Sequence, residues 1–429
     1  MSEKRNFATP FNNLNSHYDL VIIGSGINGA GVLRDAALHG LKTLLIEKDD
    51  FFSGQTSSKS SKMLHGGVRY LQNFDFPLVK EALEEKKIWL KLAPHLCKPR
   101  QFLLPIFKDS PYKKWEIQAG MFLYDFLSDF SPPRTGVYPK EKTLELVPQL
   151  KSENLLGSGF YSDAVVDDQK LALYCIHHAL QFPNIHATSS TNLKYVYELN
   201  ERNSLFLQLK LQYQSVSNIE KNISCAHLVF CTGPFTDQLL PKIGFPNWKN
   251  KMLLSKGSHL WLSPSILKKP LDYNIVMQDK MGRVIFCNSY SDKILLGTTE
   301  EPWDQNESPA SAEISHKETQ YLLQSFHHYF PDSQLRRDTY GNFESQFIQG
   351  SFAGIRPLVK EDSAKNDRGK TSRYHKIFRP HPRCQVILGG KYTTFRSMCQ
   401  DILRPILKSE NKIYNKNLTL LPFDGSPLI

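Results

Sequence analysis

Two apolar runs of strand character, with helix-forming residues between them, open the patterned part of the chain. The runs cover residues 18–23 and 42–47, and residues 30–38 are rich in good helix formers. The first run leads into Gly24-Ser25-Gly26-Ile27-Asn28-Gly29, which matches G-x-G-x-x-G in the strand–turn–helix context that this motif requires. The pattern therefore predicts a β-α-β unit that binds a dinucleotide.

Each glycine of the turn has its own role in the predicted unit. Gly24 permits the tight turn, Gly26 lets the backbone approach a pyrophosphate, and Gly29 lets the helix pack closely on the strand. The helix N-terminus then stabilises the phosphate charge. Glu47 ends the second strand, where a carboxylate can accept hydrogen bonds from ribose hydroxyls.

Residues 60–70 follow this unit closely and are too polar for a core element. The glycine pair at 66–67 lets the backbone come close to a flat or bulky group. His65, Arg69 and Tyr70 flank the pair. The segment therefore predicts a site wall where a bound cofactor meets an anionic substrate.

Three further stretches have helical patterns. Residues 78–90 form a strong amphipathic helix. Residues 115–127 are a second apolar helical stretch, and the pattern favours packing in the core over contact with a membrane surface. A third helix opens near residue 168, with Asp167 or Asp168 as its N-cap.

The remaining apolar patterns indicate strands. Residues 191–220 alternate as in β-hairpins, and residues 227–234 resemble a buried strand that ends at a glycine. Residues 250–350 predict a second, largely antiparallel sheet with helices. Residues 386–396 again combine a strand, a glycine pair and a helix start, which predicts a second approach of the backbone to the cofactor.

Composition sets the outer limits on these elements. A chain of 429 residues can hold two or three domains. No run approaches the roughly 20 apolar residues of a membrane-spanning helix, and the N-terminus has no secretory pattern. The seven cysteines form no C-x-x-C pair, so we expect reduced cytosolic thiols and no metal site.

The net charge of +11 has two interpretations. It can belong to a solvated basic surface, or it can attract the anionic lipid of the inner membrane leaflet. The chain has no aromatic-interleaved RNA motif and no zinc finger, so no nucleic-acid partner is expected.

Together, the motifs resemble those of the FAD-dependent, aerobic-type sn-glycerol-3-phosphate dehydrogenases of the D-amino-acid-oxidase-like flavoprotein superfamily. The resemblance runs from residue 18 to about residue 425. It rests on residues 23–31, 56–62, 64–71, 161–163, 166–168, 226–234, 256–259, 297–299, 354–358 and 389–396.

The resemblance implies an α/β fold with a Rossmann-like FAD-binding domain, built on a parallel sheet, and a mixed or antiparallel substrate-binding domain. The helical C-terminal domain usual in the family is expected to be absent. The implied division has a flexible N-terminus at 1–17, one oxidoreductase unit at 18–425 and a tail at 406–429. Within the oxidoreductase unit, the FAD-binding segments are 18–75, 150–250 and 350–405. The substrate-domain segments are about 76–149 and 251–349.

The implied activity is oxidation of sn-glycerol 3-phosphate to dihydroxyacetone phosphate, with a hydride passing to FAD and electrons passing to a quinone. Such a site needs a phosphate clamp, and arginine suits it because the planar guanidinium binds phosphate through two parallel hydrogen bonds. The resemblance carries this role to Arg69, Arg356 and possibly Arg373. Lys391 would add a positive charge, and Tyr70 would hydrogen-bond the substrate.

The site also needs a proton acceptor. His259 is the candidate base because the ordinary histidine pKa of about 6.5 suits proton transfer near neutral pH. The candidate catalytic residues are therefore His259, Arg356 and Lys391.

The predicted cofactor-binding residues come from the two glycine-rich segments and the polar loop between them. They are Gly24, Gly26, Asn28, Gly29, Glu47, Thr56, Ser57, Ser60, Ser61, Lys62, His65, Gly66, Gly67, Gly233, Gly389, Gly390, Lys391 and Thr393.

Two alternatives stay open at this point. One is an oxygen-using oxidase of glycerol 3-phosphate, or of an amine or hydroxy acid, on the same fold. The other is a non-catalytic flavoprotein subunit. In the leading interpretation the protein is cytoplasmic and peripheral on the inner face of the cell membrane, with quinone as electron acceptor and possible homo-oligomers.

Overall fold

The computed structural model describes residues 8–68, 71, 75–130, 133–201, 204–214, 219–290, 292–360 and 374–423. The strands are β1 (His17–Ile23), β2 (Thr43–Ile46), β3 (Met63–Leu64), β4 (Cys97–Phe107), β5 (Gly136–Pro139), β6 (Leu155–Val166), β7 (Ile185–Thr188), β8 (Thr191–Glu201), β9 (Ser204–Tyr213), β10 (Glu220–Phe230), β11 (Met252–Leu262), β12 (Asn274–Gln278), β13 (Val284–Ser289), β14 (Ile294–Gly297), β15 (Glu301–Pro302), β16 (Ile348–Val359), β17 (His375–His381) and β18 (Cys384–Gly389). The α-helices are α1 (Ile27–Leu38), α2 (Phe76–Leu92), α3 (Lys114–Leu127), α4 (Lys140–Leu146), α5 (Asp168–Ala179), α6 (Thr236–Leu239), α7 (His316–Tyr329) and α8 (Phe395–Ser409).

The first sheet has the strand order β17-β18-β10-β1-β2-β7 and is parallel from β18 to β7. Its central strands are buried by an apolar cluster on each face of the sheet, which accounts for their continuous apolar sequences. Helices α5 and α8 pack against α1 on one side of the sheet. The predicted β-α-β unit and the buried strand β10 are therefore confirmed.

The second sheet has the order β15-β11-β14-β13-β12-β4-β6-β3, with β16 paired to β11 and β5 paired to β6. Every pair in it is antiparallel except β4 with β12. Helix α7 contributes to the apolar cluster on one face and α3 to the cluster on the other. This confirms the predicted fold class, a Rossmann-like parallel sheet joined to a largely antiparallel second sheet.

Two long strands show how the chain passes between the sheets. Both β6 and β16 pair within the second sheet, although they lie in segments 150–250 and 350–405, which the resemblance assigned to FAD binding. β6 leads directly into α5 under the first sheet, and the carbonyl of Ile355 in β16 accepts a hydrogen bond from Thr56. An apolar strand pattern does not reveal which sheet a strand joins, so these boundaries could not be drawn from the sequence.

Parts of both predicted terminal segments are packed against the core. Within 8–17, Phe11 and Leu14 are buried, although residues 1–17 were expected to be flexible. In the C-terminal segment, Arg34 donates hydrogen bonds to the carbonyls of residues 419 and 421, and Phe423 is buried. Residues 1–7 and 424–429 lie outside the described part of the chain.

Helix α3 is confirmed as a helix, but only one of its faces belongs to the core. Its inner face buries Ile117, Met121 and Tyr124. Its outer face exposes 65% of Trp115 and 65% of Phe122. The apolar residues of 115–127 thus lie on two faces of the helix, one buried and one exposed. The total hydrophobicity of the stretch does not distinguish these two faces. In the described ranges, no helix is both long and apolar enough to cross a membrane.

The start of α5 resolves the predicted choice of N-cap. The Asp167 side chain accepts a hydrogen bond from the backbone N–H of Lys170, so Asp167 is the cap. Asp168 is instead buried, and its Oδ1 atom lies 2.5 Å from the Lys62 ammonium. This ion pair ties the polar loop after β2 to the first turn of α5.

Candidate active site

Two adjoining cavities lie where the two sheets meet. The first cavity has a volume of about 430 Å³ and follows the carboxyl ends of β1, β2 and β10. The second cavity has a volume of about 810 Å³ and lies against the second sheet. The residues that line both are Thr56, Ser60, Pro357, Gly390, Lys391 and Tyr392. A ligand in the first cavity can therefore contact a ligand in the second.

The turn between β1 and α1 forms one end of the first cavity. Gly24 has φ +96°, and a Cβ atom there would lie 2.7 Å from the carbonyl oxygen of Cys231, so only glycine fits. The backbone N–H of Ile27, in the first turn of α1, donates to Ser57 Oγ at 2.9 Å. A helix N-terminus with a hydroxyl beside it is suited to hold phosphate charge.

Glu47 lies in the wall of the first cavity, directly after β2. Its Oε2 atom accepts hydrogen bonds from the backbone N–H and the hydroxyl of Ser25, at 2.9 and 2.6 Å. Its Oε1 atom accepts one from the backbone N–H of Asp49 at 3.0 Å. The carboxylate is thus held at a position from which it can reach ribose hydroxyls.

The structure brings most of the predicted cofactor residues together around the first cavity. Those that line it are Gly24, Gly26, Asn28, Glu47, Thr56, Ser57, Ser60, Gly233, Gly389, Gly390 and Lys391. Ser61, His65 and Gly67 line the second cavity instead. Gly29 packs beneath the turn, where a Cβ atom would lie 1.9 Å from the Gly24 carbonyl oxygen.

Besides Gly29, three predicted cofactor residues line neither cavity and have structural contacts. Lys62 pairs with Asp168. The backbone N–H of Gly66 donates to the buried carboxylate of Asp163 at 3.1 Å. The Thr393 hydroxyl accepts a hydrogen bond from the backbone N–H of His65 at 3.2 Å. These contacts shape the loop that faces the cavities.

Other lining residues had no signal in the sequence. The first cavity is also lined by Thr191 and Asn192, at the start of a hairpin strand, and by Lys48 and Phe235, which form a cation–π pair at 4.0 Å. Leu104, Val276 and Phe286 line an apolar part of the second cavity. The local sequence around these positions does not mark them as cavity residues, and only the tertiary fold brings them to the cavities.

Arg356 lies on β16 and lines the second cavity. Its guanidinium donates to the Thr298 hydroxyl at 2.6 Å and to the Thr299 carbonyl at 3.3 and 3.4 Å. The guanidinium lies against Gly257, where a Cβ atom would be 2.1 Å from Nη2, so the glycine makes room for it. A cation fixed in a cavity wall is suited to bind an anionic substrate.

His259 lies on β11, with its ring stacked on Phe352 at a centroid distance of 4.9 Å. Its Nε2 atom is 2.9 Å from Ser61 Oγ, while Nδ1 is buried with no hydrogen-bond partner among the described residues. Burial lowers the pKa of His259 to about 3, and the positive charges of Arg356 and Lys62 add to this effect. The ordinary value of about 6.5 assumed from the sequence is therefore wrong for this site, and the ring is neutral at physiological pH.

The other predicted substrate ligands have different positions. Lys391 is buried and lines both cavities, immediately after the glycine pair at 389–390. Arg69, Tyr70 and Arg373 lie outside the described residues. The structure therefore brings Arg356, His259 and Lys391 together around one space.

Comparison with known proteins agrees with this geometry. The protein family described as FAD dependent oxidoreductase matches residues 19–389. The aerobic glycerol-3-phosphate dehydrogenase of Staphylococcus aureus is 32% identical over 412 residues, which cover 95% of this chain and 70% of that protein. The protein of the same name from Bacillus subtilis is 30% identical over 399 residues, covering 92% of this chain and 68% of that protein.

Two solved structures have the same fold. The glycerol-3-phosphate dehydrogenase from Bacillus halodurans, complexed with FAD, superimposes with a TM-score of 0.72 at 26% identity, covering 94% of this chain and 67% of that chain. The L-alpha-glycerophosphate oxidase from Mycoplasma pneumoniae, with FAD bound, superimposes with a TM-score of 0.68 at 15% identity, covering 92% and 95% of the two chains. The second likeness shows the fold alone.

The first cavity fits the cofactor of this family. The glycine turn between β1 and α1 allows a pyrophosphate to come close to the backbone. The first turn of α1 and Glu47 form part of the cavity wall. The neighbouring cavity, with Arg356 and a neutral His259, gives a substrate access to the same space. The chain belongs to the family of FAD-dependent oxidoreductases that includes the aerobic glycerol-3-phosphate dehydrogenases, and its cofactor is FAD.

Proposed function

We propose that the protein oxidises sn-glycerol 3-phosphate to dihydroxyacetone phosphate and passes the electrons to a quinone. The observation that carries this proposal is the Arg356 guanidinium, fixed in the wall of the second cavity beside the neutral imidazole of His259. A dianionic phosphate and a secondary alcohol require this combination of a cation and a proton acceptor. The names of the S. aureus and B. subtilis relatives support the substrate.

The residues of the second cavity have different roles in the proposed reaction. FAD, when bound, supplies the acceptor for the hydride that leaves carbon 2. Arg356 binds the phosphate and so places the reacting carbon, since its planar fork favours two parallel hydrogen bonds. Lys391, between the two cavities, adds a second positive charge.

His259 accepts the hydroxyl proton in this proposal. Only a neutral imidazole can act as a base, and the lowered pKa keeps it neutral at physiological pH. A phosphate dianion bound to Arg356 offsets part of the positive charge that depresses the His259 pKa, which makes the ring more basic when substrate is present. Ser61 Oγ, 2.9 Å from Nε2, orients the ring.

The electron acceptor is proposed as a quinone because the second cavity has an apolar part lined by Leu104, Val276 and Phe286. An apolar acceptor gains free energy by leaving water for such a surface. Oxygen is the competing acceptor, and a non-catalytic flavoprotein subunit is the second alternative.

Steady-state turnover tests the proposal as a whole. Purified, FAD-loaded protein should form dihydroxyacetone phosphate from glycerol 3-phosphate with a soluble quinone analogue, under conditions where oxygen alone gives much slower turnover. Equal or faster turnover with oxygen, accompanied by hydrogen peroxide, would identify an oxidase. No product with either acceptor would favour the non-catalytic subunit.

We also propose that the protein is cytoplasmic and peripheral on the inner face of the cell membrane, where the quinone is dissolved. The supporting feature is the α3 aromatic face, which consists of Trp115, Phe122, Phe126 and the adjacent Phe130. The rings of Phe122 and Phe126 lie 6.0 and 6.2 Å from that of Phe130, and this cluster is exposed. Aromatic rings on the outer face of an amphipathic helix are typical of contact with a lipid interface.

The cations beside the α3 aromatic face suit an anionic membrane surface. Lys113, Lys114 and Arg134 are exposed there, and the Arg134 guanidinium stacks on the Phe130 ring at 4.9 Å. Each cation near an anionic surface contributes about 1 kcal/mol, screened by salt. The net charge of +11 acts in the same direction.

Replacing Phe122 and Phe126 together by serine should therefore reduce co-sedimentation with vesicles that contain anionic lipid, while turnover with a soluble quinone analogue is retained. Wild-type binding should weaken at high salt and require anionic lipid. The matched control is Ile413→Ser, which removes an apolar side chain that is 91% exposed elsewhere on the protein and should leave binding unchanged. Equal binding by the double variant and wild type would exclude this surface as the contact.

A further inference from the structure

Glu318 is a buried carboxylate that lines neither cavity, yet it has more hydrogen-bond partners than its position in a helix requires. It is the third residue of α7, and its Oε2 atom accepts hydrogen bonds from the backbone N–H and the hydroxyl of Ser315, at 2.9 and 2.8 Å. The Ser315 hydroxyl in turn accepts from the backbone N–H of Glu318. This reciprocal pair is a capping box, and Oε2 alone accounts for it.

The second carboxylate oxygen of Glu318, Oε1, contacts the neighbouring strand β11 and the turn that follows β14. Oε1 accepts hydrogen bonds from the hydroxyls of Ser258 and Thr299, each at 2.8 Å. The Thr299 hydroxyl also accepts the backbone N–H of Ser258 at 2.9 Å. Glu318 therefore joins strand β11, one residue before His259, to the turn at 298–299.

That turn is the one that holds Arg356. The guanidinium donates to the Thr298 hydroxyl and to the Thr299 carbonyl. A continuous path of hydrogen bonds thus runs from the Glu318 carboxylate through Thr299 to Arg356. The 298–299 turn lies between the Glu318 carboxylate and the Arg356 guanidinium in this path, so the turn sets the position of the guanidinium.

The charge of Glu318 is balanced by Lys256, whose ammonium lies 2.8 Å from Oε2. Burial by itself would raise the pKa of Glu318, but the hydrogen bonds from Lys256 and from the Ser315 backbone outweigh burial and lower the pKa to about 2. The carboxylate is therefore ionised at physiological pH. An unpaired buried carboxylate is costly, and both oxygens of Glu318 are hydrogen-bonded.

We propose that Glu318 is a positioning residue, which fixes the 298–299 turn and through it the orientation of the Arg356 guanidinium toward the substrate. This inference rests on the proposed function, since it assigns Glu318 a role in binding the phosphate of glycerol 3-phosphate. The two oxygens of Glu318 have separate roles. Oε2 caps α7 and pairs with Lys256, and Oε1 fixes the 298–299 turn, which holds the Arg356 guanidinium.

Two variants separate these tasks. Thr299→Val keeps the shape of the side chain but removes the hydroxyl that links Oε1 to the turn. Ser315→Ala removes the hydroxyl half of the capping box and leaves Oε1 in place. Loss of a hydrogen bond to a charged group corresponds to about 10- to 100-fold in binding. We expect Thr299→Val to raise the KM for glycerol 3-phosphate by this amount with little change in kcat, and Ser315→Ala to lower the Tm without changing the KM.

A second set of variants tests the path itself. Glu318→Ala should raise the KM as Thr299→Val does, and the double variant should raise it no further, because both changes break one path. Thr299→Ser keeps the hydroxyl, so its KM should be close to that of the wild type and well below that of Thr299→Val. If the variants lose thermal stability alone while the KM stays at the wild-type value, Glu318 has only a structural role.

The two possible failures give different results. If wild-type protein with FAD bound is not reduced by glycerol 3-phosphate, the proposed function fails. If the wild type is reduced and Thr299→Val has an unchanged KM, the positioning role fails and the proposed function stands.

Discussion

Replacing Arg356 by alanine is expected to raise the KM for glycerol 3-phosphate by orders of magnitude while FAD stays bound. Removing one charged partner of a buried ion pair costs about 2–5 kcal/mol, which corresponds to about 30- to 4,000-fold in affinity. FAD should stay bound because Arg356 lines the second cavity and not the first. The measurement is the KM from the initial rate of flavin reduction, with the flavin absorbance per protein as the check on cofactor content.

The matched control for Arg356→Ala is Arg283→Ala. Arg283 also lines the second cavity, but it is exposed at the tip of the β12–β13 hairpin and should contribute little to phosphate binding. If Arg356→Ala oxidises glycerol 3-phosphate with a normal KM, Arg356 is not in the clamp. If both variants weaken binding equally, the cavity attracts the anion by its general positive charge.

Replacing His259 by glutamine is expected to slow flavin reduction by at least about 100-fold, because general base catalysis contributes about 100- to 10,000-fold. Glutamine keeps a polar group of similar reach near Ser61 but cannot accept the hydroxyl proton. Substrate affinity should change far less, since Arg356 and Lys391 remain. Fast reduction by the variant, or a loss of affinity alone, would place the base elsewhere, and Lys391 would be the next residue to replace.

The pH dependence of the wild type gives an independent check on His259. The neutral imidazole of His259 is the base. Because the pKa of His259 is lowered to about 3, the imidazole becomes protonated, and is lost as a base, only as the pH falls toward that value. For free enzyme, kcat/KM should therefore show no His259 limb between pH 5 and 8. An acidic limb near pH 6.5 in the wild type that disappears in His259→Gln would show that the imidazole has an ordinary pKa.

The local part of the fold was predictable because its rules act over short distances. The turn at Gly24 needs a positive φ, and the sequence signals it through G-x-G-x-x-G between an apolar strand and a helix. The same holds for the buried strand β10 and the glycine pair before α8. Each of these elements is specified by its own residues.

The parts that depend on tertiary contacts were not predictable in the same way. The sheet that β6 and β16 join is decided by their pairing partners and not by their own pattern. The pKa of His259 depends on burial and on Arg356, which lies 97 positions along the sequence. The cluster around Glu318 unites residues whose individual signals are those of an ordinary helix cap and ordinary strands.

Helix α3 shows the limit of hydrophobicity as a signal. Met121 and Phe122 are neighbours of similar hydrophobicity, yet Met121 is buried and Phe122 is 65% exposed. The helical period places them on different faces. The sequence predicts that residues 115–127 form an apolar helix, but the second sheet decides which of its faces is covered.

The central claim is that glycerol 3-phosphate reduces the FAD of this protein, and anaerobic titration measures this directly. Purified, FAD-loaded protein is mixed with glycerol 3-phosphate in the absence of oxygen, and the flavin absorbance is followed. We expect the yellow oxidised flavin to bleach with glycerol 3-phosphate, and not with glycine or another small amino acid at the same concentration. Flavin that stays oxidised with glycerol 3-phosphate, or that bleaches equally with the amino acid, would contradict the proposed function.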